Sequence, residues 1–238
     1  MNWPRRVPAR KTGSAMSTHP STTCTSRIPR WLKLAYTAFM AVLIPVYWHH
    51  YGLSNFLFFC DVALILTLIG VWTEKPLFIS LAAVGILAPQ VLWCVDFIVG
   101  MFGVRMTGLT TYMFDDARPM FLRGLSLFHG WLPFMLVFLV MRLGYDRRAL
   151  HGWSATATAL CVFSFLFLPA PGSAEVLANP QTAYNVNYVF GMSETECQTI
   201  MPPALYVAAW VAALIALVYV PTHWVLKRIC PAAGTIND

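Results

Sequence analysis

The sequence predicts an all-α integral membrane protein, a polytopic bundle of six transmembrane helices with both termini in the cytoplasm. Three observations lead to this class: an apolar composition, six long apolar segments, and a one-sided distribution of basic residues. Apolar residues make up 58% of the 238 residues and charged residues only 11%, and the mean hydropathy is +0.62. A soluble domain of average composition is far less apolar. We therefore expect lipid to be the solvent of its outer surface.

Six segments have the length that a transmembrane helix needs, which is roughly 20 mainly apolar residues. They cover about 32–48, 53–73, 77–101, 120–142, 153–170 and 202–224, and together they predict one membrane domain over residues 31–228. The longest connection, 171–201, is predicted to lie outside. Residues 1–30 are basic and rich in Ser, Thr and Pro, so they predict a disordered cytoplasmic tail. Residues 229–238 form a second, short cytoplasmic tail.

The basic residues orient the bundle, because Lys and Arg are retained on the cytoplasmic side. With the N-terminus inside, thirteen basic residues are cytoplasmic: Arg5, Arg6, Arg10, Lys11, Arg27, Arg30, Lys33, Lys75, Arg142, Arg147, Arg148, Lys227 and Arg228. Three lie outside: Arg105, Arg118 and Arg123. The basic pI therefore reflects orientation in the bilayer and needs no nucleic-acid partner. Short loops and no separate targeting segment fit a cell inner (plasma) membrane.

Polar residues inside the predicted spans are costly unless they face partners or a wet cavity, so they indicate a site. Cys60 and Asp61 lie in the second span, Gln90, Cys94 and Asp96 in the third, and Arg123, Ser126 and His129 in the fourth. At ~1.5 Å per residue, Cys60 is ~10 Å and His129 ~13 Å below the outer surface, and Asp96 is five residues from the outer end of its span. We expect one pocket in the outer leaflet, with loop 171–201 as its lid.

Three short stretches resemble a known superfamily of six-span membrane enzymes. They are YGLSNFLFFCDVALIL at 51–66, LSLFHGWLPFMLVF at 125–138 and NVNYVFG at 185–191. The superfamily contains the androgen-induced and androgen-dependent TFPI-regulating proteins, which are intramembrane threonine hydrolases of fatty acid esters. It also contains a Cys/His transmembrane acyltransferase of ether-phospholipid metabolism with bacterial relatives. The resemblance implies that Cys60 is the nucleophile and His129 its catalytic partner, followed by Pro133. Phe58 and Phe59 stand where the hydrolases place threonine.

A Cys–His pair carries out acyl transfer because the imidazole removes the thiol proton and later protonates the leaving alkoxide. The carboxylate that orients His129 is Asp96 or Asp61, and we favour Asp96, since Asp61 points about 100° away from Cys60 around its helix. The candidate oxyanion donors are Asn185, Asn187 and Gln90, and Asp61 is a further substrate-binding candidate. The implied substrate and partner is a membrane lipid, a phospholipid or fatty acyl ester, which enters from the bilayer. Hydrolysis and transfer stay open, and no cofactor is expected.

Other interpretations of the same residues stay open. The intramembrane polar groups are equally typical of a structural hydrogen-bond network. Asp61, Asp96 and His129 also suit the proton relay of an ion-coupled transporter, and a non-catalytic membrane scaffold is a further alternative. A haem or metal site would use His49, His50 and His129, although the cysteines show no spacing typical of a metal site.

Overall fold

The computed structural model of the protein describes residues 27–179, 183–193 and 195–234. Most of the predicted tail at 1–30 lies outside these residues, as do Glu194 and residues 235–238. Six main helices follow one another: α1 Arg30–Tyr51, α2 Phe59–Thr73, α3 Pro76–Gly100, α4 Met120–Leu143, α5 Ala149–Phe167 and α6 Pro203–Ile229. The connections contain short helical turns at Leu53–Leu57, Thr111–Phe114, Ala174–Ala178 and Val186–Tyr188. The predicted all-α class is confirmed.

Five of these helices, all except α2, are long and apolar enough to cross a membrane. The chain is therefore a multi-pass membrane protein by the length and composition of its helices. Helix α2 has 15 residues and is shorter than predicted, because its expected first turn, Leu53–Leu57, is a separate 3₁₀ helix. The break between this turn and α2 lies at Phe58, whose backbone is extended with φ −62° and ψ 140°. Gly52 ends α1 before the turn, with a φ of 76° that glycine adopts readily.

Two of the long helices are locally irregular. Helix α4 consists of Met120–Ser126 and Phe128–Leu143, with a tight turn at Leu127 between them. Helix α6 contains a π-helical stretch at Leu214–Tyr219. The second part of α4 begins one residue before His129, so the turn at Leu127 determines how that ring enters the bundle.

Helix α3 lies at the centre and packs against α2, α4 and α5. Small residues permit the closest contacts. A Cβ at Gly85 would lie 2.0 Å from the indole of Trp153 on α5, and a Cβ at Gly70 would lie 2.5 Å from Ile79. These glycines let the helix backbones approach closely. Close packing at small residues is the usual basis of helix association in lipid, where the hydrophobic effect does not drive helices together.

One end of the bundle, called here the basic end, joins segments that are far apart in the sequence. Lys33 at the start of α1 forms a 2.6 Å ion pair with Glu74 after α2. The amide of Asp146, between α4 and α5, donates to Ser80 Oγ near the start of α3 at 2.9 Å. The amide of Tyr145 donates to the carbonyl of Pro231 after α6 at 2.7 Å. Both ends of the described chain therefore lie at the basic end, where the first helix begins and the last helix ends.

The opposite end, called the loop end, carries the long connections 101–119 and 168–202. Tyr47 at the end of α1 bonds Ser126 of α4 through their hydroxyls at 2.9 Å. Asn187 of the last connection reaches the start of α2 and also accepts from Trp210 of α6. These contacts hold the loop end together around the start of α2, where the predicted nucleophile lies.

Candidate functional site

Cys60 and Asp61 lie in the first turn of α2 at the loop end. Cys60 is half-buried, and Asp61 is only 3% exposed. The Oδ2 atom of Asp61 accepts from Asn55 Nδ2 at 3.1 Å and lies 3.9 Å from the Cys60 sulfur, within reach of its weak S–H donor. The other carboxyl oxygen, Oδ1, is buried and has no hydrogen-bond partner among the described residues. Asp61 therefore faces the same space as the thiol.

Asn187 holds the start of α2 in place. Its Oδ1 accepts from the amide of Phe59 at 2.9 Å and its Nδ2 donates to the carbonyl of Leu57 at 2.9 Å. The side chain thus replaces the backbone partners that a helix start lacks. Asn187 therefore positions the residue before Cys60, while its Nδ2 group has a second hydrogen beyond the one bonded to Leu57.

Asn185 is also committed to local structure. Its Nδ2 donates to the carbonyls of Gly191 and Ser193, and its Oδ1 accepts from the amide of Phe190. Both Asn185 and Asn187 have positive φ values, 46° and 59°, a region in which Asn is enriched. The predicted Asn-x-Asn segment is therefore a folded loop that braces α2.

A second set of polar groups adjoins Cys60. Besides Tyr47, Tyr112 from the first long connection lies beside Ser126, Trp93 and Cys60. Burial raises the pKa of the Tyr112 hydroxyl well above its usual value, and the nearby Cys60 adds to the rise. Tyr112 therefore stays neutral and remains a donor at physiological pH. We call Tyr47, Asn55, Cys60, Asp61, Tyr112, Ser126 and His129 the loop-end polar cluster.

His129 is joined to this cluster by a hydrogen bond to Ser126, which lies on the same helix. Its Nδ1 lies 2.8 Å from the carbonyl oxygen of Ser126, and a carbonyl only accepts, so Nδ1 is the atom that carries the proton. The other ring nitrogen, Nε2, then keeps its lone pair. The ring stacks on Trp93, with centroids 4.9 Å apart and planes 18° apart. His129 is thus held in the tautomer of a general base.

The proline after His129 has a local effect that the sequence pattern did not reveal. Pro133 has no N–H and therefore cannot bond the carbonyl of His129 four residues earlier. That carbonyl instead lies 3.5 Å from the thiol of Cys94 on α3, which donates to it. Pro133 and Cys94 together fix the backbone that carries the imidazole.

Asp96 lies at the loop end, where its carboxylate bonds residues of the first long connection. Its carboxylate accepts from the amides of Thr107 and Thr110 at 2.7 and 2.9 Å and from the Thr110 hydroxyl at 2.7 Å. No hydrogen bond joins Asp96 to His129 in the part of the chain that the structure describes. The carboxyl lies one turn before α3 ends, where the returning chain brings three donors to it. We predicted that Asp96 orients His129, but in the structure the group that bonds the imidazole is the Ser126 carbonyl.

The other predicted residues have simpler surroundings. Gln90 is 2% exposed, and neither atom of its amide group has a partner among the described residues. The rings of His49 and His50 meet edge to face at the end of α1, with centroids 5.2 Å apart and planes 78° apart. Within the described ranges, no three His, Cys, Asp or Glu side chains lie close enough to hold a metal ion.

A cleft of about 470 Å³ opens at the loop end beside this cluster. Its lining includes Asp96 and Tyr112, together with Arg105 and Arg118 from the same connection. Tyr112 belongs both to this cleft and to the cluster. Sequence reasoning missed Tyr47, Asn55 and Tyr112, although Tyr47 continues the buried helical stripe of α1 through Met40 and Leu43, a pattern that places it inside the bundle.

Comparison with known proteins assigns the chain to no group: no family model, no curated protein and no solved structure matches it. Function therefore has to be argued from the cluster itself.

Proposed function

We propose that the protein is a six-span intramembrane acyl hydrolase or acyltransferase of the cell inner (plasma) membrane. Its basic end faces the cytoplasm and its loop end faces outward. Cys60 is the nucleophile and His129 the general base, and the substrate is a phospholipid or another fatty acyl ester. The short motifs that resemble the six-span intramembrane hydrolases and acyltransferases support the same chemistry.

The charge distribution supports this orientation. Of the basic residues in the described ranges, nine lie at or near the basic end, namely Arg27, Arg30, Lys33, Lys75, Arg142, Arg147, Arg148, Lys227 and Arg228, and three follow α3 toward the loop end. Two of the nine lie against tryptophan rings: Lys33 over Trp72 at 5.8 Å and Arg228 over Trp224 at 3.8 Å. Tryptophan beside a basic residue is typical of a membrane interface. In this topology α2, extended by the 3₁₀ turn before it, is the sixth span.

The observation that carries the enzymatic proposal is the tautomer of His129, whose Nδ1 bonds the carbonyl of Ser126 in the cluster that contains the half-buried Cys60. No hydrogen bond joins His129 to Cys60 among the described residues, so proton transfer requires the two side chains to approach each other. A thiol buried among neutral groups is a poor nucleophile, so it requires a base to take its proton. With Nδ1–H held by the Ser126 carbonyl, Nε2 is free for that role. In Ser–His–Asp triads a carboxylate fixes the tautomer; here a backbone carbonyl performs this part.

The first experiment is labelling of detergent-purified protein with a phospholipid that carries a clickable acyl chain. We expect an adduct that neutral hydroxylamine removes, as it removes a thioester. Cys60→Ala and His129→Ala are expected to lose the adduct. Cys197→Ala is the matched control, because Cys197 lies at the same end, is exposed and has no part in the proposed site, so the variant is expected to keep the adduct.

The outcomes separate the interpretations. An adduct that depends on both Cys60 and His129 supports the acyl-enzyme. Equal labelling of all variants, or none in the wild type, would refute it and leave Asp61 and His129 to a structural network or a proton relay. Single cysteines placed at 177 and 228 test the orientation, since a membrane-impermeant maleimide is expected to reach only the first in intact cells.

A further inference from the structure

We infer that Asp61 is protonated and that its Oδ1–H donates to the substrate carbonyl oxygen as charge develops there, which makes it an oxyanion donor. This inference rests on the proposed function, and it names a catalytic residue and a role that the fold alone does not assign. It starts from the one carboxyl oxygen of Asp61 that is buried and lacks a partner among the described residues.

The surroundings of Asp61 contain no cation to stabilise a carboxylate. The titratable groups that face it are Cys60 on its own helix and Tyr47 on α1, with Tyr112 of the first long connection beyond Cys60. All of these are neutral acids. No ion pair to Asp61 occurs within the described residues. An ionised carboxylate buried without a charged partner is strongly disfavoured, so the group keeps its proton.

The hydrogen bonds indicate which oxygen carries that proton. Oδ2 faces two donors, the amide Nδ2 of Asn55 and the thiol of Cys60. Oδ2 is therefore the carbonyl oxygen of the acid, and Oδ1 is the hydroxyl. Because Oδ1–H has no acceptor among the described residues, it is available to donate a hydrogen bond to a substrate beside the nucleophile.

A neutral Asp61 also suits the chemistry of its neighbour. A carboxylate 3.9 Å from the Cys60 sulfur would repel the thiolate, whereas a neutral acid does not. During attack the sulfur forms a bond to the ester carbon and the carbonyl electron pair moves to oxygen, where Oδ1–H donates a hydrogen bond. When the C–O bond breaks, the alkoxide takes the proton that His129 Nε2 removed from the thiol. Water or an alcohol then displaces the sulfur, with the proton again passing through His129.

The test compares two substitutions in the acyl-labelling reaction. Asp61→Asn keeps the shape and places an N–H₂ donor at the position of Oδ1, so its labelling rate is expected to stay within about 10-fold of wild type. Asp61→Leu has no donor and is expected to lose about 10²–10³-fold, the usual effect of removing one oxyanion donor.

Infrared spectroscopy gives a readout that does not depend on activity. The wild-type spectrum is expected to contain the carbonyl band of a protonated carboxyl that Asp61→Asn removes and that shifts in deuterated water. If this band is absent, or if Asp61→Asn is as inactive as Asp61→Leu, the inference is wrong. If the band is present but wild type forms no adduct, Asp61 is protonated, and the proposed function fails together with the oxyanion role.

Discussion

Asn187 provides a sharp test of how the last long connection positions the nucleophile. Asn187→Gly removes the two hydrogen bonds to Phe59 and Leu57, and glycine accepts the φ of 59° without strain. Each buried backbone group that loses its partner costs about 1–3 kcal/mol, so the pair costs about 2–6 kcal/mol. At ~2–4 °C per kcal/mol for a chain of this size, the unfolding temperature is expected to drop by roughly 4–24 °C.

The assay is tryptophan fluorescence during thermal unfolding in detergent, together with the rate at which a maleimide labels Cys60, followed by the mass of its peptide. We expect Asn187→Gly to unfold earlier and to label Cys60 faster. Asn185→Gly is the control: its amide bonds only within the connection, so it is expected to lower stability without changing the labelling rate. If Asn187→Gly has the wild-type unfolding temperature and labelling rate, this account of the start of α2 is wrong.

Three further predictions concern the rest of the bundle. Gly85→Ala is expected to destabilise the protein by about 1–3 kcal/mol, because its Cβ meets an indole, whereas Gly130→Ala, with open space around it, is expected to be neutral or slightly stabilising in the same unfolding assay. Hydrogen bonding to Arg148 lowers the pKa of Asp146 in the folded protein. Such a group stabilises the fold at any pH above its unfolded pKa, and this stabilisation is lost as the pH falls through the folded pKa. The difference in unfolding temperature between wild type and Asp146→Asn is therefore expected to be constant above about pH 5, to decline as the pH falls below about 4, and to disappear only below the lowered folded pKa; a difference that grows in acid would contradict this. Glu74→Ala removes the acceptor that anchors the start of α1, so trypsin is expected to cleave there faster than in wild type; an unchanged cleavage rate would refute the anchoring role.

The helices were largely predictable because each carries its own signal. A segment of about 20 apolar residues indicates a span whatever its neighbours are, and five of the six predicted segments are helices of spanning length. The exception is instructive. The residues at 53–57 are apolar enough for a span, but the extended backbone of Phe58 and the Asn187 bonds set the start of α2 at Phe59. Neither effect is visible in a local hydropathy pattern.

The cluster was predictable only in part. Depth counting places Cys60 and His129 toward the same end of the bundle, and both lie at the loop end. The partner of His129 was not predictable, because Asp96 and Asp61 have similar depths and only the folded connection at 107–110 shows that Asp96 is already bonded. Asn187 illustrates the same limit, since an amide that caps a distant helix resembles a free donor in sequence.

Mass spectrometry of the acylated protein tests the central claim most directly. The protein is incubated with a phospholipid, quenched in acid to preserve thioesters, digested, and its peptides are searched for the added acyl mass. We expect this mass on Cys60 in wild type and its loss in His129→Ala. Acyl mass on another residue, or on none under conditions in which the lipid is turned over, would contradict it.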